Sequence, residues 1–511
     1  MSQKDFPARF CWLLLLSVVS PSQAIAEPHP PPLGVYAHVD VTVALQRHFG
    51  KTNPKPAKEH EYLQGLYASL LDHDDAVSGI TLGVHWDRIE ISPPSCELRE
   101  DCLPPTLNTD GYDWTWLDDA FLVANAAHKS VQLVLTPGVD SPSWLLNELL
   151  PSCNALFEPA TGPPQQDCGQ VNFSVFPEST HADGTIFPLP WSSTYEGAWR
   201  QFLANVHKRY GPNSALASIA IAGPIGASTE MILPTTLNKS YQNPNEPADD
   251  AWSALIENSF PHSTSAYQHS DQIFITWWEK TISGYEGIFS DLTLILSPDS
   301  GDDLPEYSDN VLGDPGWLFV EDCSEAKDYP MSCSAKTDVL AYFLASKTGN
   351  RKATQVGGMT AASAVTPGAT GIGVGGIKVL TSLTTESPRI LGGAEFDHSV
   401  SETSTRQEEG CWKPNGNCPP LTTEEAAYYV FKVFFDGTRY ASYYGGADGS
   451  APIQWVDLDY VDIQYAQDNP NPTLPTTVPC APSLQELLNR ASWNLFTIAG
   501  KKPPVAAPTC N

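Results

Sequence analysis

The chain has 511 residues, with 59 Asp+Glu against 28 Lys+Arg and a formal net charge of −31. That balance excludes a nucleic-acid partner, because too few cations are left to neutralise a phosphate backbone. Hydrophobic residues make up 41% and aromatics 10%, enough for a sizeable core, which excludes global disorder.

At the N-terminus, Lys4 and Arg9 precede an apolar run from Phe10 to Val19, followed by Ala24-Ile25-Ala26. The pattern predicts a signal peptide over 1–26, cut before Glu27, and a secreted or periplasmic product. The apolar run is too short to span a bilayer, and no later run is longer and as apolar, so no membrane association is expected after cleavage.

From there, strand-like and helix-like runs alternate. The predicted strands are "LGVYAHVD" (33–40), "GITLGVHW" (79–86), "SVQLVLTPG" (130–138), "SIAIAGPIG" (218–226), "LTLILSPD" (292–299), "ATQVGGMT" (353–360), "RILGGAEF" (389–396) and "YVDIQYA" (460–466). Several are near-continuous Val/Ile/Leu runs, as expected of strands buried on both faces of a parallel sheet. Amphipathic stretches fall between them, including "EHEYLQGLYASLLDH", "WTWLDDAFLVANAAHK", "YEGAWRQFLANVHKRYG" and "FITWWEKTISGYEGIFSD". The last, "SLQELLNRASWNLFTI", opens with a capping box at Ser483 and Glu486. This series has the rhythm of a (β/α)8 barrel, although a doubly wound open sheet alternates similarly.

The cysteines bear on that choice. Beyond Cys11 they fall as neighbours: Cys96/Cys102, Cys153/Cys168, Cys323/Cys333, Cys411/Cys418 and Cys480/Cys510. An even set in an exported chain predicts disulfides, with neighbour pairing the simplest of the possible connectivities. All but the last pair would lie between a strand and the following helix, on the face where barrels carry their active sites. The expected fold is therefore one (β/α)8 TIM barrel over 27–511 with long disulfide-pinned βα loops.

Two glutamates close predicted strands, Glu230 after the fourth and Glu395 at the seventh. Carboxyl groups converging from two strand ends are the minimum equipment for glycoside hydrolysis, one donating a proton and the other attacking or activating water. Further polar and aromatic groups stand at other strand ends: His38 and Asp40, then His85, Trp86 and Arg88, then Asp140 and Trp144, with Asp299 after the fifth. Arg88 is a candidate for holding a nucleophile ionised. Trp86, Trp144 and Trp191 are candidate platforms for sugar rings.

Several segments resemble the clan A (β/α)8 glycoside hydrolases. They are "GVHWDRIE" (83–90), the stretch 112–146, "PLPWSSTYEGAWRQFLANVHKRYG" (188–211) and "GGAEF". The resemblance implies a retaining enzyme with Glu230 as acid/base and Glu395 as nucleophile, acting on a β-linked poly- or oligosaccharide. Thr229 stands where the clan usually has asparagine before the acid/base. "GPIGASTEMILP" is also similar to the strand-4 segment of β-amylases, which are inverting; that resemblance keeps Glu230 as proton donor and makes Glu395 a base.

No cofactor is expected. "GIGVGG" (371–376) fits a nucleotide-binding pattern but lacks a clear strand before it. No metal is expected either: no C-x-x-C occurs, and "DSGDD" (299–303) lacks EF-hand spacing. Two other functions remain open, a non-catalytic carbohydrate-binding barrel and a secreted partner-binding protein. Oligomeric state is not legible in the sequence.

Overall fold

The first strand, Gly34–Asp40, shows how the wall is built. Its residues alternate: Val35, Ala37 and Val39 join the large apolar core beneath the helices, while Tyr36 belongs to a separate cluster with Ala220, Ile295, Ala353 and Trp455. Alternation places those two sets on opposite faces of the sheet. The structure, a computed structural model, describes residues 29–50, 54–72, 74–93, 111–149, 169–173, 185–223, 271–297, 342–343, 345, 351–359, 391–396, 453–468 and 483–507.

Eight parallel strands form a closed ring in chain order: β1 (Gly34–Asp40), β2 (Val77–His85), β3 (Ser130–Thr136), β4 (Leu216–Ala220), β5 (Thr293–Leu296), β6 (Arg351–Met359), β7 (Leu391–Phe396) and β8 (Ile453–Asp459). β8 returns to β1 with Gly34 opposite Trp455 and His38 opposite Asp459. The open-sheet alternative is thereby removed. A two-stranded antiparallel hairpin, Gln170–Phe173 with Thr185–Pro188, stands outside the ring.

Inside the ring, Tyr36 and Trp455 fill the floor. Trp455 fits because β7 offers it Gly393, where a Cβ would run into the indole. Above this floor the inward positions turn polar: Thr81, Gln132, Ser218, Gln355 and Asp457 are all buried.

Among the described residues the longer helices are α1 (Val41–Phe49), α2 (Pro56–Leu71), α3 (Thr115–Ala127), α4 (Ser193–Tyr210), α5 (Asp271–Ile288), α6 (Tyr460–Asp468) and α7 (Leu484–Ile498), with short helical segments at Trp86–Ile89 and Ser143–Glu148. In α2 the buried residues Leu63, Leu66, Tyr67, Leu70 and Leu71 make the stripe of an amphipathic helix, and Pro56 opens it. Asp40 ends β1 and caps α1, accepting from the Val43 N–H at 2.8 Å. Ser483 caps α7 as expected, its Oγ accepting from the Glu486 N–H at 3.1 Å. α3 ends at His128, which takes the left-handed conformation (φ 56°) common after a helix C-terminus.

Two expectations are corrected. The eighth strand is "IQWVDLD", Ile453–Asp459, and the predicted 460–466 is the start of α6. "YVDIQYA" alternates well enough for a strand, but its buried residues Tyr460, Ile463 and Ala466 follow a helical spacing. Asp459 accepts from the Val461 N–H at 3.0 Å and turns the chain there. The second correction concerns the loops: the structure holds no disulfide bond among the described residues, so what it shows is a (β/α)8 barrel, and disulfide pinning is no part of that description. The ring closes through strand pairing and apolar packing, which need no crosslink. Cys96, Cys102, Cys153, Cys168, Cys323, Cys333, Cys411, Cys418, Cys480 and Cys510 all lie outside the described residues, as does the segment 1–28.

Candidate active site

The C-terminal ends of the strands meet at one mouth, and the polar layer rises into it. Glu395 lies one residue before the end of β7 and pairs in register with Asp457 of β8. His38 comes from β1, on the far side of β8. Its Nδ1 is 2.7 Å from Glu395 Oε1, so the two side chains reach across the intervening strand. The other oxygen, Oε2, accepts from Gln355 Nε2 at 2.9 Å. The same amide donates to Asp457 Oδ2 at 2.7 Å, and Thr81 Oγ1 donates to Asp457 Oδ1 at 2.6 Å. Gln132 completes the layer. Its Nε2 donates to Gln355 Oε1 at 3.2 Å, and its Oε1 accepts from Ser218 Oγ at 3.3 Å.

These contacts set the charges. Burial alone would raise the Glu395 carboxyl, but the His38 imidazolium and the Gln355 N–H outweigh it and hold Glu395 below the ordinary glutamate range. Burial likewise pulls His38 down, and the charge and hydrogen bond of Glu395 reverse that, pushing it up to about 10. Asp457 is driven the other way: its burial, and then the charge of Glu395, push it up to about 7. Two adjacent carboxyl groups thus hold a proton very differently, the pattern that separates acid from base in hydrolytic sites.

A second group sits on the next strands round the ring. His85 ends β2, with Nδ1 3.2 Å from Asp140 Oδ1 and Nε2 3.9 Å from Asp40 Oδ2. Asp140 closes the short turn Gly138–Asp140 after β3, and burial followed by the charges of Asp87 and Asp40 pushes its carboxyl up to about 8. Arg88 is not on Glu395. Its Nε donates to Thr42 Oγ1 at 3.1 Å, and its guanidinium lies 5.3 Å from the centre of the Trp116 ring. His38 takes the neighbour's place that the sequence suggested for Arg88.

The tryptophans divide differently. Trp86 is fully buried, 4.9 Å from Trp199 between ring centres, and its indole N–H donates to Glu90 Oε2 at 2.7 Å. It is a core residue with no face open to a ligand. Trp144 and Trp191 are half-buried and packed against the main core. Glu230 and Asp299, with Thr229, lie outside the described residues.

Asp457, Gln355, Gln132, Thr81 and Ser218 are the residues that sequence reasoning missed. The available signal was a polar residue at the inward position of a strand whose outward positions are apolar, as in "SVQLVLT". Placing the eighth strand too late hid Asp457 altogether.

No family model matches the chain, and no curated protein matches it. Solved structures align over most of its length. One is a GH10 from Paenibacillus barcinonensis, at 11% identity over 84% of this chain and 83% of that one, with a TM-score of 0.37. Another is the endo-1,4-β-mannanase from Rhizomucor miehei, at 8% identity over 85% and 88%, with a TM-score of 0.40. A β-glucosidase from Thermotoga maritima aligns at 8% identity over 84% and 89%, with a TM-score of 0.35. Likenesses this distant carry no weight for function, and the barrel stands on its own strand pairing.

Proposed function

We propose that the protein is a glycoside hydrolase that cleaves a β-linked poly- or oligosaccharide by a two-carboxylate, retaining mechanism. The supporting observation is Glu395, a carboxylate held ionised by His38 and Gln355 at the mouth of a closed barrel. Such a group can attack an anomeric carbon while a second carboxyl protonates the leaving oxygen. Glu230, to which the family resemblance gives that second role, lies outside the described residues. Gln355 and His38 would orient the attacking oxygen, and the buried layer beneath would keep it from turning away.

Hydrolysis of a panel of β-linked polysaccharides and aryl β-glycosides tests this. The wild type should release product, and Glu395→Gln should lower kcat by roughly 10³-fold or more with folding intact. An active Glu395→Gln enzyme would overturn the role of this residue. The anomeric form of the first product, read by NMR, tests retention.

A non-catalytic carbohydrate-binding barrel is the second reading. It is favoured by the engagement of both Glu395 oxygens, one by His38 and one by Gln355. Saturable glycan binding without product release would select it.

A further inference from the structure

Among the described residues, three carboxyl groups close to the mouth have an altered affinity for protons, and one of them is placed to give a proton away. Glu395 is ionised. Asp457 is wholly buried under the mouth, with both oxygens accepting hydrogen bonds, from Thr81 and from Gln355. Asp140 sits higher, on the turn that leaves β3, and is buried without being sealed, with 9% of its side chain exposed. The turn is anchored from behind: the Gly138 N–H donates to Tyr195 Oη at 3.1 Å, and the Tyr195 ring is buried against the barrel wall.

Ring order adds the decisive geometry. In a closed ring of eight strands, β3 and β7 are four steps apart and face each other across the mouth. Asp140, on the turn after β3, and Glu395, on β7, therefore stand on opposite sides of the mouth. The groups facing Asp140 are His85 from β2, Asp40 from the end of β1, and Asp87 and Arg88 from the turn after β2. Two acids against one arginine, in a buried setting, favour the protonated carboxyl. His85 stands between Asp140 and Asp40, at 3.2 and 3.9 Å, and fixes the orientation of the Asp140 carboxyl.

We propose that Asp140 is the proton donor of the reaction, with His85 as the group that positions it. This rests on the glycosidase function proposed above. The Asp140 carboxyl gives its proton to the glycosidic oxygen. The bond from that oxygen to the anomeric carbon breaks with its electron pair going to oxygen, and Glu395 forms the new bond to carbon. In the second step the Asp140 carboxylate takes a proton from water, the hydroxide oxygen bonds to the anomeric carbon, and Glu395 leaves as carboxylate.

A proton donor is needed in proportion to how poor the leaving group is, which provides the test. Full-length wild type, Asp140→Asn and Glu230→Gln are assayed on 2,4-dinitrophenyl and phenyl β-glycosides of the common neutral hexoses and pentoses. In kcat/KM, which reports the first step alone, Asp140→Asn should lose about 10²–10⁴-fold on phenyl glycosides and less than about 10-fold on dinitrophenyl glycosides. Glu230→Gln should show no such split. Asp140→Asn should also be more heat-stable than wild type at pH 8, since it removes a buried carboxyl that resists ionisation. If Asp140→Asn does not fold, Asp140→Ala supplies the same ratio, and added formate should restore turnover. An equal loss on both substrates, no loss on either, or the split appearing in Glu230→Gln instead would overturn the proposal and leave the glycosidase function standing. A wild type that cleaves no glycoside overturns both.

Discussion

Asp457 shows what burial does to one residue. It is a carboxyl group with no exposed surface, accepting from Thr81 and Gln355, beside an ionised glutamate. Its affinity for the proton is raised, so the folded state favours the neutral form. Stability is therefore lost as pH rises from the ordinary aspartate range through about 7, and is unaffected below that range. Asp457→Asn removes the cost while keeping the shape. Its amide can donate to Thr81 Oγ1 and its oxygen can accept from Gln355. The variant should be more stable than wild type by on the order of 2–4 kcal/mol at pH 8, and equal to it near pH 4, in chemical denaturation. A natural chain that keeps a destabilising acid here is consistent with a site that trades stability for activity.

Among the elements, β7 and β8 are matched as a pair. Trp455 fills the barrel floor only because its neighbour across the ladder carries hydrogen at Gly393. Gly393→Ala would overpack this contact, and a loss of about 1–3 kcal/mol in thermal or denaturant unfolding is expected, with the fold retained. The doublet in "RILGGAEF" was visible in the sequence, but the reason for it was not, because the indole it accommodates comes from a strand about sixty residues later. The same distance explains the misplaced eighth strand. "IQWVDLD" and "YVDIQYA" both alternate, and local pattern cannot rank them. Pairing with β1 and β7 does, since only the first sets Asp457 beside Glu395 and Asp459 opposite His38.

At the scale of the molecule, the ion pair of His38 and Glu395 joins β1 to β7 across the strand that closes the ring. The His38 contribution to stability is present below the ordinary histidine range and is lost as pH rises through about 10. The Glu395 contribution has the opposite sign: present above the ordinary glutamate range, lost as pH falls below it. Unfolding measured against pH should show this pair's contribution greatest between those limits, and His38→Gln should flatten both flanks. The sequence by itself determined the alternating rhythm, most strand positions, the cap at Ser483, and the glutamate at the end of the seventh strand, because each depends on residues a few places apart. Only the tertiary structure decided that the sheet closes, that Trp86 belongs to the core, and that His38, Gln355 and Asp457 surround Glu395. Glu395 and those partners come from four strands separated by tens to hundreds of residues, and the proton affinities of the titrating groups arise from burial and mutual charge that exist only once the ring is shut.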